Sequence, residues 1–172
     1  MLLSVKGRAD MAQFAKWAVV GLAGLFSAQS AQTQPVDVQP TAQQAKLLDL
    51  LERGAKHLLA KGEHVPVTAF VMRPSGEIDL IDLEQGFAHQ EDALTATLGR
   101  LIPMARAKEI VASGIMFQPG DAGEEKPPVL IFDVEQVNHP RFFVTLTYSR
   151  QGNEVSFGPK TYNAAPAKLF AK

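Results

Sequence analysis

Apolar residues change their spacing several times along this chain, and each change predicts an element. From Thr41 onward, Leu47, Leu48, Leu51, Ala55, Leu58 and Leu59 recur every three or four positions, the period of one helix face. The Thr41 hydroxyl is a ready N-cap, and Gly62 stands where a left-handed residue closes a helix, so the pattern predicts a helix over 41–61. The period then drops to two. Val67, Ala69 and Val71 alternate with Thr68, Phe70 and Met72, and a second β-like run covers 77–83. Between them, Arg73-Pro74-Ser75-Gly76 puts proline at the second turn position and glycine where a bulged hairpin needs a left-handed residue. In the second run Ile78 and Leu80 share one phase and Ile81 and Leu83 the other, which predicts either a bulge or a strand covered on both faces.

Helical spacing returns over 89–108, where Leu94, Leu98, Leu101, Ile102 and Ala105 share a face and Glu91 and Asp92 suit the positive end of the helix dipole. Pro103 is expected to kink or end this helix. Strands are predicted over 110–117, 128–137 and 141–149, with Ser113-Gly114 read as a bulge in the first. Leu130, Phe132 and Val134 form one row and Phe142, Val144, Leu146 and Tyr148 another. A hairpin across Asn138-His139-Pro140 sets both rows on the same sheet face. A short strand over 154–158 follows Gln151-Gly152-Asn153, and 159–172 reads as a surface tail. The order α-β-β-α-β-β-β makes an α+β two-layer sandwich: an antiparallel sheet of about five strands, two helices on one side, the other face open.

Upstream of Thr41 the apolar pattern has a different meaning. The run Trp17-Ala18-Val19-Val20-Gly21-Leu22-Ala23-Gly24-Leu25-Phe26 follows Lys6, Arg8 and Lys16 and precedes Ala28-Gln29-Ser30, a small-x-small cleavage site. These are the three parts of a secretory signal, and the run is shorter than the roughly 20 residues a spanning helix needs. The expectation is a signal peptide over 1–30, with Met11 a candidate true start. The alternative is an amphipathic or buried N-terminal helix. A disordered tether over 31–40, punctuated by Pro35 and Pro40, and a single domain over 41–172 complete the organisation. The expected location is periplasmic or secreted.

Cysteine is absent. That removes disulfides, a lipoprotein anchor, thiol catalysis and thiolate metal sites, and leaves the fold to its apolar core. Removing 30 residues from 172 leaves 142, a common domain length that buries about two thirds of its surface. Without Lys6, Arg8, Lys16 and Asp10, the 17 basic and 18 acidic residues become 14 and 17, a net charge of about −3. This balance gives no footprint for nucleic acid, nor for a membrane surface once the signal is cleaved.

The stretch Phe70-Val71-Met72-Arg73-Pro74-Ser75-Gly76-Glu77-Ile78, a helix, Pro128-Val129-Leu130-Ile131-Phe132-Asp133-Val134-Glu135, a Phe/Thr/Tyr strand and Val155-Ser156-Phe157-Gly158 together resemble a diffuse family of small bacterial domains, mostly of unassigned activity. The element order is similar to profilin-like roadblock domains. That resemblance implies a dimerising platform rather than an enzyme. It runs over about residues 41–158 through apolar pattern and turns, and it carries over no functional residue.

Chemistry-bearing motifs are missing: no His-Glu-x-x-His, Gly-x-Ser-x-Gly, Ser-x-x-Lys, phosphate-cradling glycine loop or EF-hand loop occurs. His57, His64, His89 and His139 are scattered, and a zinc site needs at least three ligands to converge. Asp133 and Glu135, two apart on a strand, share a sheet face, as the paired carboxylates of a hydrolase would; two solvated acids on an open face explain them as well. Asp121, Glu124 and Glu125 lie in a loop that offers oxygen ligands to Ca²⁺ or is simply acidic. Arg141, beside Phe142 and Phe143, reads as a snorkelling cation. No catalytic, cofactor or metal residue is therefore assigned and no cofactor is expected. The leading function class is an exported non-catalytic domain that binds a protein or envelope partner; a small hydrolase and a tethered accessory subunit are the alternatives.

Overall fold

The computed structural model describes residues 38–81, 83, 86–119 and 128–171. The signal peptide, the tether up to residue 37 and the acidic loop over 121–125 lie outside them. The elements are helix α1 (Ala42–Lys61), strands β1 (Thr68–Met72) and β2 (Ile78–Ile81), helix α2 (Gln90–Arg106), and strands β3 (Ala112–Phe117), β4 (Val129–Gln136), β5 (Arg141–Gln151) and β6 (Glu154–Ala165). The strands form one six-stranded antiparallel sheet in the order β2-β1-β3-β4-β5-β6. The α+β class and the two helices stand as expected, with one strand more than the five anticipated.

Local chemistry sets the ends of α1. The Thr41 hydroxyl accepts the Gln44 amide at 3.2 Å while the Gln44 side chain accepts the Thr41 amide at 3.0 Å, a reciprocal capping box. Gly62 closes the helix at φ 78°, its N–H donating to Leu59 O at 2.9 Å. Arg73 and Gly76 make the expected hairpin turn, with Gly76 at φ 86°. Pro103 does not end α2. It sits in the last turn, its ring opposite the carbonyl of Gly99, the residue with most backbone freedom, and the helix runs on to Arg106.

The β4–β5 hairpin sets the two apolar rows on one sheet face, as expected. Leu130 faces Leu146, Phe132 faces Val144 and Val134 faces Phe142, and all six are 1% exposed or less. Leu48, Leu51, Ala55 and Leu59 of α1 pack onto these rows together with Met116 and Val155. Each large side chain so buried contributes roughly 1.5–3 kcal/mol, which makes this layer the principal core.

The two-layer picture gives way here. Along β1 and β3 the alternate residues Ala69, Val71, Ile115 and Phe117 point away from α1 and bury against Leu98, Leu101 and Ala105 of α2. The helices therefore lie on opposite faces, and the sheet face expected to be open is covered beneath α2. β2 stops at Ile81, which joins the α2 side, while Ile78 joins Met72 on the α1 side. The double phase of this run thus has Ile81 covered on the α2 side and Ile78 partly covered on the α1 side, while Leu80, in the phase of Ile78, stays exposed.

Two further expectations are corrected. Ser113-Gly114 is no bulge: β3 keeps regular register with both neighbours, and Gly114 is the point where α1 crosses closest, a Cβ there lying 3.0 Å from Leu51 Cδ1 and 3.4 Å from Leu47 Cβ. The supposed surface tail continues β6 to Ala165. One extra residue at Gly158-Pro159, between the Tyr148–Phe157 and Leu146–Lys160 pairs, bulges this outer strand and so accommodates a proline without breaking the ladder. Leu169 beyond it is buried.

Gly114→Val should destabilise the domain by about 1–3 kcal/mol, because α1 has no room to accept the added methyls. Urea unfolding measures it. An unchanged midpoint would mean that α1 does not cross the sheet at Gly114.

Candidate functional site

Among the described residues two places stand out, one for buried charges and one for exposed apolar side chains. The first holds the pair of acids that the sequence offered as catalytic. The register that sets Val134 opposite Phe142 and Asp133 opposite Phe143 brings Glu135 across from Arg141 at the next step. The face is not solvated: Asp133, Glu135 and Arg141 are 8%, 2% and 3% exposed. Arg141 donates from Nε to Asp133 Oδ1 at 2.8 Å and from Nη2 to Oδ2 at 2.7 Å, a bidentate fork, and stacks over the Phe143 ring at 4.7 Å. The reading of Arg141 as a snorkelling cation is therefore corrected, since its head is the part that is sealed.

Glu135 has a different set of partners. Its carboxylate accepts the backbone N–H groups of Lys168, Leu169 and Phe170 at 2.7–3.1 Å, and the Arg141 Nε stands 3.8 Å away. Arg141 Nη1 donates to Pro166 O at 3.0 Å. Residues 166–170 thus close over the charges. Burial holds the Asp133 carboxyl above its ordinary value, against the hydrogen bonds and charge of Arg141. Burial also works against the guanidinium, but the hydrogen bonds and charge of Asp133 outweigh it and hold Arg141 above its ordinary value. Lys168 is held below its own by partial burial and then by repulsion from Arg141. Both acids are occupied and sealed from solvent, so the cluster fastens the chain rather than presenting a general acid or base.

The second place lies at the outer strand β2. An open cleft of about 380 Å³ is walled by Val67 and Thr68 at the start of β1, Leu80 and Ile81 of β2, and Phe87 and His89 leading into α2. Its volume falls within the range of ligand pockets, about 300–1,000 Å³. Among the described residues three large apolar side chains stand exposed, and two of them, Leu80 at 55% and Phe87 at 36%, line this cleft. His64 and His89 also border it, whereas His57 projects from the exposed side of α1 and His139 sits in the β4–β5 turn. His64 Nδ1 lies 3.3 Å from Gln118 Oε1, and Gln118 Nε2 donates to the Tyr148 hydroxyl at 3.0 Å, which ties one wall of the cleft to β5. Among the described residues no three His, Asp or Glu side chains gather as a metal site would require.

Sequence reasoning passed over the cleft because its walls come from three separate stretches. Its one local sign was Leu80 beside Ile81, a strand offering apolar groups to both sides. For the ion cluster the sign was Asp133 and Glu135 on one strand face, with Arg141 at the start of the strand predicted to pair with it.

No family model matches the chain, and no curated protein or solved structure matches it either.

Arg141→Met alone should cost about 3–5 kcal/mol by leaving Asp133 buried without its partner. In the double variant with Asp133→Leu much of that loss should return. Chemical denaturation of the four proteins gives the coupling, and strictly additive losses would contradict the fork.

Proposed function

We propose that this chain is an exported, non-catalytic binding domain that receives an apolar segment of an envelope protein in the cleft beside β2. The observation that carries the reading is the gathering of Leu80 and Phe87, two exposed apolar side chains, at a concave site on an outer strand. Apolar surface left in water is unfavourable by roughly 25 cal/mol per Å², so a partner that covers these side chains gains what the fold leaves unused. An outer strand adds a second attraction, because its unpaired backbone groups take up an extended segment through ladder hydrogen bonds.

Export rests on the basic, apolar and small-residue order of residues 1–30. Among the described residues no helix is long and apolar enough to cross a membrane. The hydrolase alternative is weakened by the engagement of Asp133 with Arg141 and of Glu135 with three backbone amides, which leaves neither in reach of a substrate.

A photo-crosslinking residue placed at Leu80 or Phe87 should yield a discrete adduct with one envelope protein in living cells. The same residue at Val137, an exposed apolar position in the β4–β5 turn, should yield none. Equal adducts from all three positions would contradict the assignment of the cleft, and so would a hydrolytic activity lost in a folded Asp133→Asn variant. The intact mass of the exported product should lack residues 17–26; their retention would favour a tethered subunit.

A further inference from the structure

Residues 166–170 are held as a ligand is held. They pair with no strand. One of their carbonyls, of Pro166, meets Arg141, three successive amides converge on Glu135 through a bend, and Leu169 fills an apolar socket among residues that α2, β1 and β3 contribute. Phe170 packs against the rim of the same socket. This combination of backbone hydrogen bonds for affinity and a side-chain pocket for selectivity is what a peptide-recognition groove uses.

Part of the groove is braced by contacts in which residues 166–170 take no part. Asp133 and Arg141 stand on neighbouring strands and hold each other by two hydrogen bonds, and the socket walls belong to the α2 core. Departure of the segment would open Glu135, and the side of Arg141 that meets Pro166, to water. That rehydration offsets much of the hydrogen bonding given up. The cover also brings the Lys168 ammonium, partly desolvated, toward the Arg141 charge, which acts against closure.

We propose that the groove over β4 and β5 is a peptide-docking site that residues 166–170 of this chain occupy as a stand-in, and that a partner enters by displacing them. The fitting partner is a peptide segment with proline followed by a bend that carries an aliphatic and then an aromatic residue. It needs three free amides in succession for Glu135 and one carbonyl for Arg141. None of Asp133, Glu135, Arg141 and residues 166–170 lines the cleft beside β2.

Hydrogen exchange of the native full-length chain tests displacement directly. The amides of Lys168, Leu169 and Phe170 should exchange at least ~10-fold faster than those of Phe132 and Val144, through an opening that leaves the sheet closed. A synthetic peptide with the sequence of residues 164–172 tests the groove in trans. Full-length protein carrying Leu169→Ala, whose own segment has lost its anchor, should bind this peptide at least ~10-fold more tightly than the wild-type chain does. Exchange of all five amides at one common rate would overturn the proposal, as would equal affinity of the two proteins for the peptide or no binding to either at millimolar concentration.

Discussion

Taking Arg141 out of water costs several kcal/mol in lost hydration, and the same holds for each carboxylate beside it. Such a cluster persists inside a sheet face only where every donor and acceptor finds a partner of good geometry. Here the fork to Asp133, the three amides on Glu135 and the carbonyl of Pro166 supply those partners. The need to satisfy these charges explains why the chain does not end at β6 but turns back over the sheet. It also explains why the face opposite α1 is apolar under α2 and ionic under residues 166–170.

On the α1 side the constraint is steric. Six interdigitated side chains of β4 and β5, together with Met116, form a surface that only a helix with a narrow apolar stripe can cover, and Gly114 lets that stripe approach β3 closely. The start of α1 is in turn fixed to the β4–β5 turn. Gln44 Nε2 donates to Pro140 O at 3.0 Å, and Gln136 Nε2 donates to Gln43 Oε1 at 2.8 Å. One hairpin thus carries the apolar layer on one face, the ions on the other and the polar tie at its tip. At the far end of the sheet β2 has no further strand beside it, and there Leu80 and Phe87 reach water.

Those parts of the fold that arise from neighbouring residues were legible in the sequence. Thr41 and Gly62 set the ends of α1, Pro74 and Gly76 set the first turn, and strict alternation from Leu130 to Leu146 set the face on which the central hairpin buries its apolar rows. Reading failed where a residue answers to something distant. Glu135 reads as a solvated acid until the amides 33 to 35 positions downstream close on it. Gly158-Pro159 reads as the end of a strand because a proline removes a ladder donor, and only its place in an outer strand makes the continuation tolerable. The opposite placement of the helices was written in β1 and β3, whose two phases are both apolar, but alternation alone does not say which helix takes which phase. The cleft beside β2 is assembled from three stretches with no shared local signal, and so no pattern along the chain could point to it.

The claim on which the rest turns is that Arg141 is a sealed structural cation. Nuclear magnetic resonance of its guanidinium measures this directly, with Arg53, whose side chain is 67% exposed in its pairing with Asp49, as the internal reference. The account predicts that the Arg141 Nε–H gives a sharp, downfield signal that exchanges with water far more slowly than that of Arg53. Exchange of the two at the same rate would contradict it.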